Sequence, residues 1–207
     1  MREKGYFNMT LFEKSLKAVA TLDSVLTTAN ETFKVEQKKM FATLKDPTKQ
    51  IGEMRKALTE TEAEQKRIFR ETVQAEFAAV RDKVNAVVTA APPADFLATL
   101  EAIKANGKNI TDYEAAAFLE KYRSNYFAFR TIHEVLTGAG KSLNSYVMKP
   151  DAIANELDQG EKMLLNWGGD WKGSSYMGAL LQNHTNPITA LADRVQKFID
   201  GRFTADE

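Results

Sequence analysis

The chain has 207 residues, enough for one large domain or two small ones, with 43% hydrophobic residues for a core and 27% charged residues for a wet surface. Lys plus Arg and Asp plus Glu both number 28, so the formal net charge is zero and no bulk field draws nucleic acid or an anionic membrane. The absence of cysteine excludes disulfides, thiolate zinc sites and a cysteine nucleophile.

Met1-Arg2-Glu3-Lys4-Gly5-Tyr6 mixes charges and has no apolar run behind it, so no secretory signal is read. No stretch approaches the roughly 18 consecutive apolar residues of a membrane span. A cytoplasmic or virion-associated protein is expected. From about residue 10 to 45, Phe12, Leu16, Val19, Leu22, Leu26, Ala29, Phe33, Gln37, Met40 and Leu44 recur at steps of three or four, one stripe of a long helix. Asp46-Pro47 ends it, because proline cannot continue the ladder, and the same dipeptide opens the next helix as cap and first residue. The second stripe runs through Ile51, Met54, Leu58, Thr61, Gln65, Ile68, Val73, Phe77, Val80, Val84 and Val87, with a polar middle at Thr61 and Gln65. Each helix would span roughly 50 to 65 Å, too long for one globule to bury, so a helical hairpin or coiled coil is expected.

Pro92-Pro93 marks the expected boundary: residues 1–91 as an elongated two-helix region turning at Asp46-Pro47, residues 92–207 as a compact helical domain. Phe96, Leu97, Leu100 and Ile103 make a short helix stopped by Asn106-Gly107. Thr111 and Glu114 form a capping box. The helix it opens is expected to run unbroken through Phe118, Leu119, Tyr122, Tyr126, Phe129, His133 and Leu136 to Gly138. Glycines then concentrate between Gly138 and Gly178, with one helix from about Pro150 to Asn166. In the last helix Asn186 caps, Pro187 starts, Ile188, Leu191, Val195, Phe198 and Ile199 form the apolar face, and Gly201 stops it. The expected class is all-α: a long helical hairpin or coiled-coil region, then a small helical domain with a Gly/Trp-rich loop.

The candidate chemistry is sparse. Gly138-Ala139-Gly140-Lys141-Ser142 looks like the end of a phosphate-binding loop, but Val135 stands where the first glycine belongs and a helix, not a strand, precedes it. A helix stop is the better reading. His133-Glu134 begins like a zincin helix, yet Thr137 occupies the second ligand position, so His133 is read as packed. No catalytic, cofactor-binding or metal-binding residue is assigned. In Tyr122-Arg123-Ser124-Asn125-Tyr126-Phe127-Ala128-Phe129-Arg130, one helical face collects Tyr122, Tyr126, Phe129 and His133 as core, leaving Phe127 as an exposed anchor. Trp167 and Trp171, followed by Tyr176, lie in a glycine-rich stretch; tryptophan is enriched at binding hot spots, so these three and Phe127 are the candidate interaction residues.

The long heptad region, followed by a segment such as Ile110-Thr111-Asp112-Tyr113-Glu114 through Phe129-Arg130, resembles small structural or head-assembly proteins of tailed bacteriophages. The resemblance implies self-association or capsid contact and no catalysis. It departs from phage scaffolding proteins, which are strongly acidic with a basic tail, whereas this chain is neutral and ends in Asp206-Glu207. The expected role is therefore a structural or assembly protein acting through helix-mediated oligomerisation or partner docking, with itself or another protein as partner and no cofactor. The alternative is a binding module using the Trp167–Tyr176 loop on a peptide, glycan or host surface; an enzyme with an unrecognised site comes third.

Overall fold

The two apolar stripes fold as α1, Glu13–Thr43, and α2, Thr48–Thr89, which pack closely as a helical hairpin. The computed structural model describes residues 11–143, 146–171 and 187–204. The turn forms where sequence chemistry places it. The Leu44 amide closes the last turn of α1 on the Met40 carbonyl at 2.9 Å. Asp46 Oδ1 then accepts from the Thr48 amide at 3.1 Å and the Thr48 hydroxyl at 2.6 Å, satisfying a free donor at the start of α2. The Thr48 hydroxyl, and then its amide, hold the Asp46 carboxyl below its ordinary pKa.

At the other end of the hairpin, α1 starts without a cap of its own. Phe12 occupies the cap position with φ of 70°, a left-handed conformation that favours glycine, and no side chain there accepts a hydrogen bond. Its ring is fully buried and stacks on Phe77 of α2 with centroids 4.4 Å apart. Glu76, one residue away, supplies the missing acceptor across the hairpin. Its carboxylate takes the Ser15 amide and hydroxyl, each at 2.6 Å, and the Lys14 amide at 3.2 Å. This cap from the opposite helix fixes the register of the pair. Farther along, Val19, Leu22 and Leu26 of α1 are buried, as are Phe69 and Val73 of α2, and the polar middle of the seam brings Asn30 to Glu62 at 3.2 Å.

One step of the expected α2 stripe is corrected. Phe69 is the buried residue and Ile68 is 43% exposed, because the seam advances 62, 65, 69, 73 in steps of three and four. Thr61, expected on the seam, is exposed and its hydroxyl bonds back to the Ala57 carbonyl; Glu62 takes the seam position.

The remaining helices among the described residues are α3 (Phe96–Asn106), α4 (Asp112–Lys121), α5 (Tyr126–Gly138), α6 (Pro150–Gly169) and α7 (Pro187–Ile199). Among the described residues no strand forms; Val147 and Thr204 make a single antiparallel bridge. The chain groups into two units. One is Met1–Ala78 with Asp158–Ala190, the other Ala79–Leu157 with Leu191–Glu207. The grouping differs from a split at Ala91, because the carboxy-terminal half of α6 packs with the hairpin residues and the last turns of α2 with the later helices.

Within the second unit, the expected single helix from Thr111 is two. The capping box at Thr111 and Glu114 is present, with the Glu114 amide donating to Thr111 Oγ1 at 3.2 Å and the Thr111 amide to Glu114 Oε2 at 2.8 Å. α4 nevertheless ends at Lys121, because Asn125 caps a fresh helix. Its Oδ1 accepts from the Ala128 amide at 2.9 Å, while its Nδ2 donates to the Ala90 and Ala91 carbonyls at 3.1 and 2.9 Å. One buried asparagine thus starts α5 and secures the strand of chain before Pro92.

α5 divides its faces between two clusters. Ala128, Ile132 and Leu136 join Phe96, Leu100, Ile103 and Tyr122 in one apolar core. Tyr126 and Phe129 join Phe198 and Phe203 in an aromatic group with ring centroids 5.2 to 5.5 Å apart. The turn after α7 needs its glycine: Gly201 has φ of 78°, and a Cβ there would lie 2.8 Å from the Arg123 carbonyl oxygen.

Candidate association surface

The sequence candidates separate by what they touch. Trp167 is half-buried, and its ring meets Phe69 edge-on at 5.9 Å. Trp171 is also half-buried, and its indole N–H donates to Asp23 Oδ1 of α1 at 2.9 Å. Gly168 between them lets the helix sit on Phe69: an added Cβ would lie 2.2 Å from the ring. Lys66 Nζ completes the clasp with a 3.0 Å bond to the Gly169 carbonyl. The two tryptophans therefore hold the end of α6 to the hairpin. Tyr176 lies outside the described residues, as do His184 and the cap at Asn186. Phe127 is 51% exposed and rests its edge on Phe96 at 5.7 Å.

The phosphate-loop likeness dissolves into a helix stop. Gly140 has φ of 84°; its amide donates to the Thr137 carbonyl at 3.0 Å and the Lys141 amide to the Leu136 carbonyl at 3.1 Å. Those are the two bonds of a Schellman cap, so both amides serve the end of α5 rather than a phosphate. Lys141 Nζ donates to the Lys108 carbonyl at 3.3 Å. His133 is buried and stacks on Phe129 with centroids 6.3 Å apart. Among the described residues no group of His, Asp and Glu is placed to hold a metal ion, and no helix is long and apolar enough to cross a membrane.

An open groove of about 310 Å3 lies between α1 and α2, lined by Leu22, Ile68 and Phe69 with Lys14 and Lys17 among its polar groups. Its lining holds no carboxylate and no histidine, so it offers no acid–base pair. Ser15 and Glu76 do form a hydroxyl–carboxylate pair, but Ser15 is fully buried and the carboxylate is committed to backbone amides.

What stands out is the half of the hairpin nearest the turn. From residue 27 to 46 no side chain is buried, and on α2 none is buried between Ile51 and Phe69. Phe33, Met40, Met54 and Leu58 are only half-buried, while Val35, Leu44 and Phe41, the last 64% exposed, face outward. Two helices alone bury one stripe of each, and here even that stripe remains partly open. Periodicity locates the stripe, but Val35 and Phe41 fall off it, and Leu44, expected as its last member, is exposed because α1 ends at Thr43 and Leu44 is already extended. No family model, curated protein or solved structure matches the chain.

Proposed function

We propose that this chain is a structural or assembly protein that works by helix-mediated self-association through the turn-proximal half of its hairpin. The observation that carries the reading is the run from residue 27 to 46, with no buried side chain and with Phe41, Val35 and Leu44 exposed. Covering such a seam removes apolar surface from water at about 25 cal/mol per Å2, whereas the half of the hairpin capped by Glu76, far from the turn, has its seam residues buried already. The resemblance to head-assembly proteins of tailed bacteriophages belongs to the same proposal, and a virion role follows from it.

Light scattering on the purified chain tests it. A mass that rises with concentration to a defined multiple of the 23.2 kDa chain supports self-association. A mass that stays at 23.2 kDa through the high-micromolar range refutes it.

A further inference from the structure

The outward faces of the two hairpin helices carry stripes of the same spacing and opposite charge. On α1, Glu31, Lys34, Lys38 and Phe41 follow at steps of three, four and three; on α2, Ala57, Glu60, Glu64 and Arg67 do the same. Such steps keep four residues on one helical face. All eight are exposed, and Glu31, Lys34 and Lys38 make no ion pair among the described residues. Laid antiparallel, the stripes match at every position: Glu31 meets Arg67, Lys34 meets Glu64, Lys38 meets Glu60, and Phe41 meets the small Ala57.

We infer that a second copy of this chain is the partner, its α2 stripe lying antiparallel along the α1 stripe, with Phe41 seated over Ala57. The inference rests on the self-association reading and specifies its contact. Within one hairpin these stripes cannot meet, because the α1–α2 seam is already occupied by Leu26, Asn30 and Phe33 against Glu62, Gln65 and Phe69. The existing bonds of Arg67 to Glu64 and Glu71, and of Lys56 to Glu60, lie on the surface between exposed side chains. Surface pairs of this kind are weak and exchange partners readily. Charge matching of this kind sets register and partner choice more than raw affinity, leaving Phe41 as the apolar anchor.

Each copy carries both stripes, which permits a charge-swap test on the full chain. The double variants Lys34→Glu with Lys38→Glu, and Glu60→Lys with Glu64→Lys, are each measured alone and as an equimolar mixture by light scattering. Far-UV ellipticity at the wild-type level checks that each folds; if a double variant does not, the single changes Lys38→Glu and Glu60→Lys give the same test. Each variant alone is expected to associate at least about tenfold more weakly than wild type, and the mixture to regain the wild-type mass. Variants that keep the wild-type mass overturn the stripe contact and leave self-association standing. A mixture that stays monomeric overturns the pairing of these two stripes. A monomeric wild type overturns the contact and the self-association reading together.

Discussion

Replacing Glu76 with alanine should loosen the hairpin at its capped end more than any other exposed or half-buried substitution in α2. The carboxylate satisfies two backbone donors at the start of α1 and the hydroxyl of the fully buried Ser15. Losing a helix cap costs about 1 kcal/mol. Leaving the Ser15 hydroxyl buried without an acceptor adds about 1 to 2 kcal/mol, for roughly 2 to 3 kcal/mol in all. Glu76→Gln keeps one acceptor and loses the charge that favours a helix amino terminus, so about 1 kcal/mol is expected. Ser15→Ala should cost less in the Glu76→Ala background than alone, since the two share one interaction. Both tryptophans fall in the same unit as this cap, so urea unfolding followed by tryptophan fluorescence reports on it apart from the whole-chain ellipticity. A Glu76→Ala midpoint corresponding to less than about 0.5 kcal/mol, the scale of ordinary surface changes, would refute the cross-hairpin cap.

Gly168→Ala should destabilise the same unit by about 1 to 3 kcal/mol through overpacking on Phe69, and the added change Phe69→Leu should recover part of the loss in the same urea assay. Phe198→Ala removes a fully buried ring from the aromatic group of Tyr126 and Phe203 and should cost about 3 to 5 kcal/mol, read by thermal unfolding at 222 nm. Trp171→Phe should lower stability by about 1 kcal/mol through the lost Asp23 bond, with self-association unchanged; lost association at intact stability would favour the tryptophan loop as a docking surface. Bonds from Thr111 hold the Glu114 carboxyl, and Lys121 the Asp95 carboxyl, below their ordinary values. Lowered carboxyl values mean stability that is present above the unfolded pKa and lost as pH falls through the folded one. Acid titration should therefore weaken the second unit below about pH 4, less steeply in Glu114→Gln.

The sequence marks the hairpin clearly because its two stripes have the helical period and its turn has proline chemistry. What it hid depends on contacts between distant residues. The step from Ile68 to Phe69 follows the seam, and Phe69 also carries the end of α6 through Gly168 and Trp167, residues about 100 positions away with no local signal. The break at Asn125 was masked by an aromatic face that continues across it: Tyr122 and Tyr126 are buried on either side of the gap, so their spacing looks like one helix. The asparagine that stops and restarts the chain was visible only as a residue type. The two tryptophans stand out in the sequence by their density, yet density does not say which way a ring faces. Asp23, the partner of Trp171, lies 148 residues earlier and has no local signature. The charged stripes were equally silent, since a solvated helix face and a matched one have the same composition.

Hydrogen exchange across residues 27 to 46, measured over a concentration series, tests association through the hairpin most directly. The account predicts that these amides exchange more slowly as concentration rises, while those of α3 to α5 do not change. Exchange in 27 to 46 that is independent of concentration while the scattering mass increases would place the interface elsewhere and contradict the account.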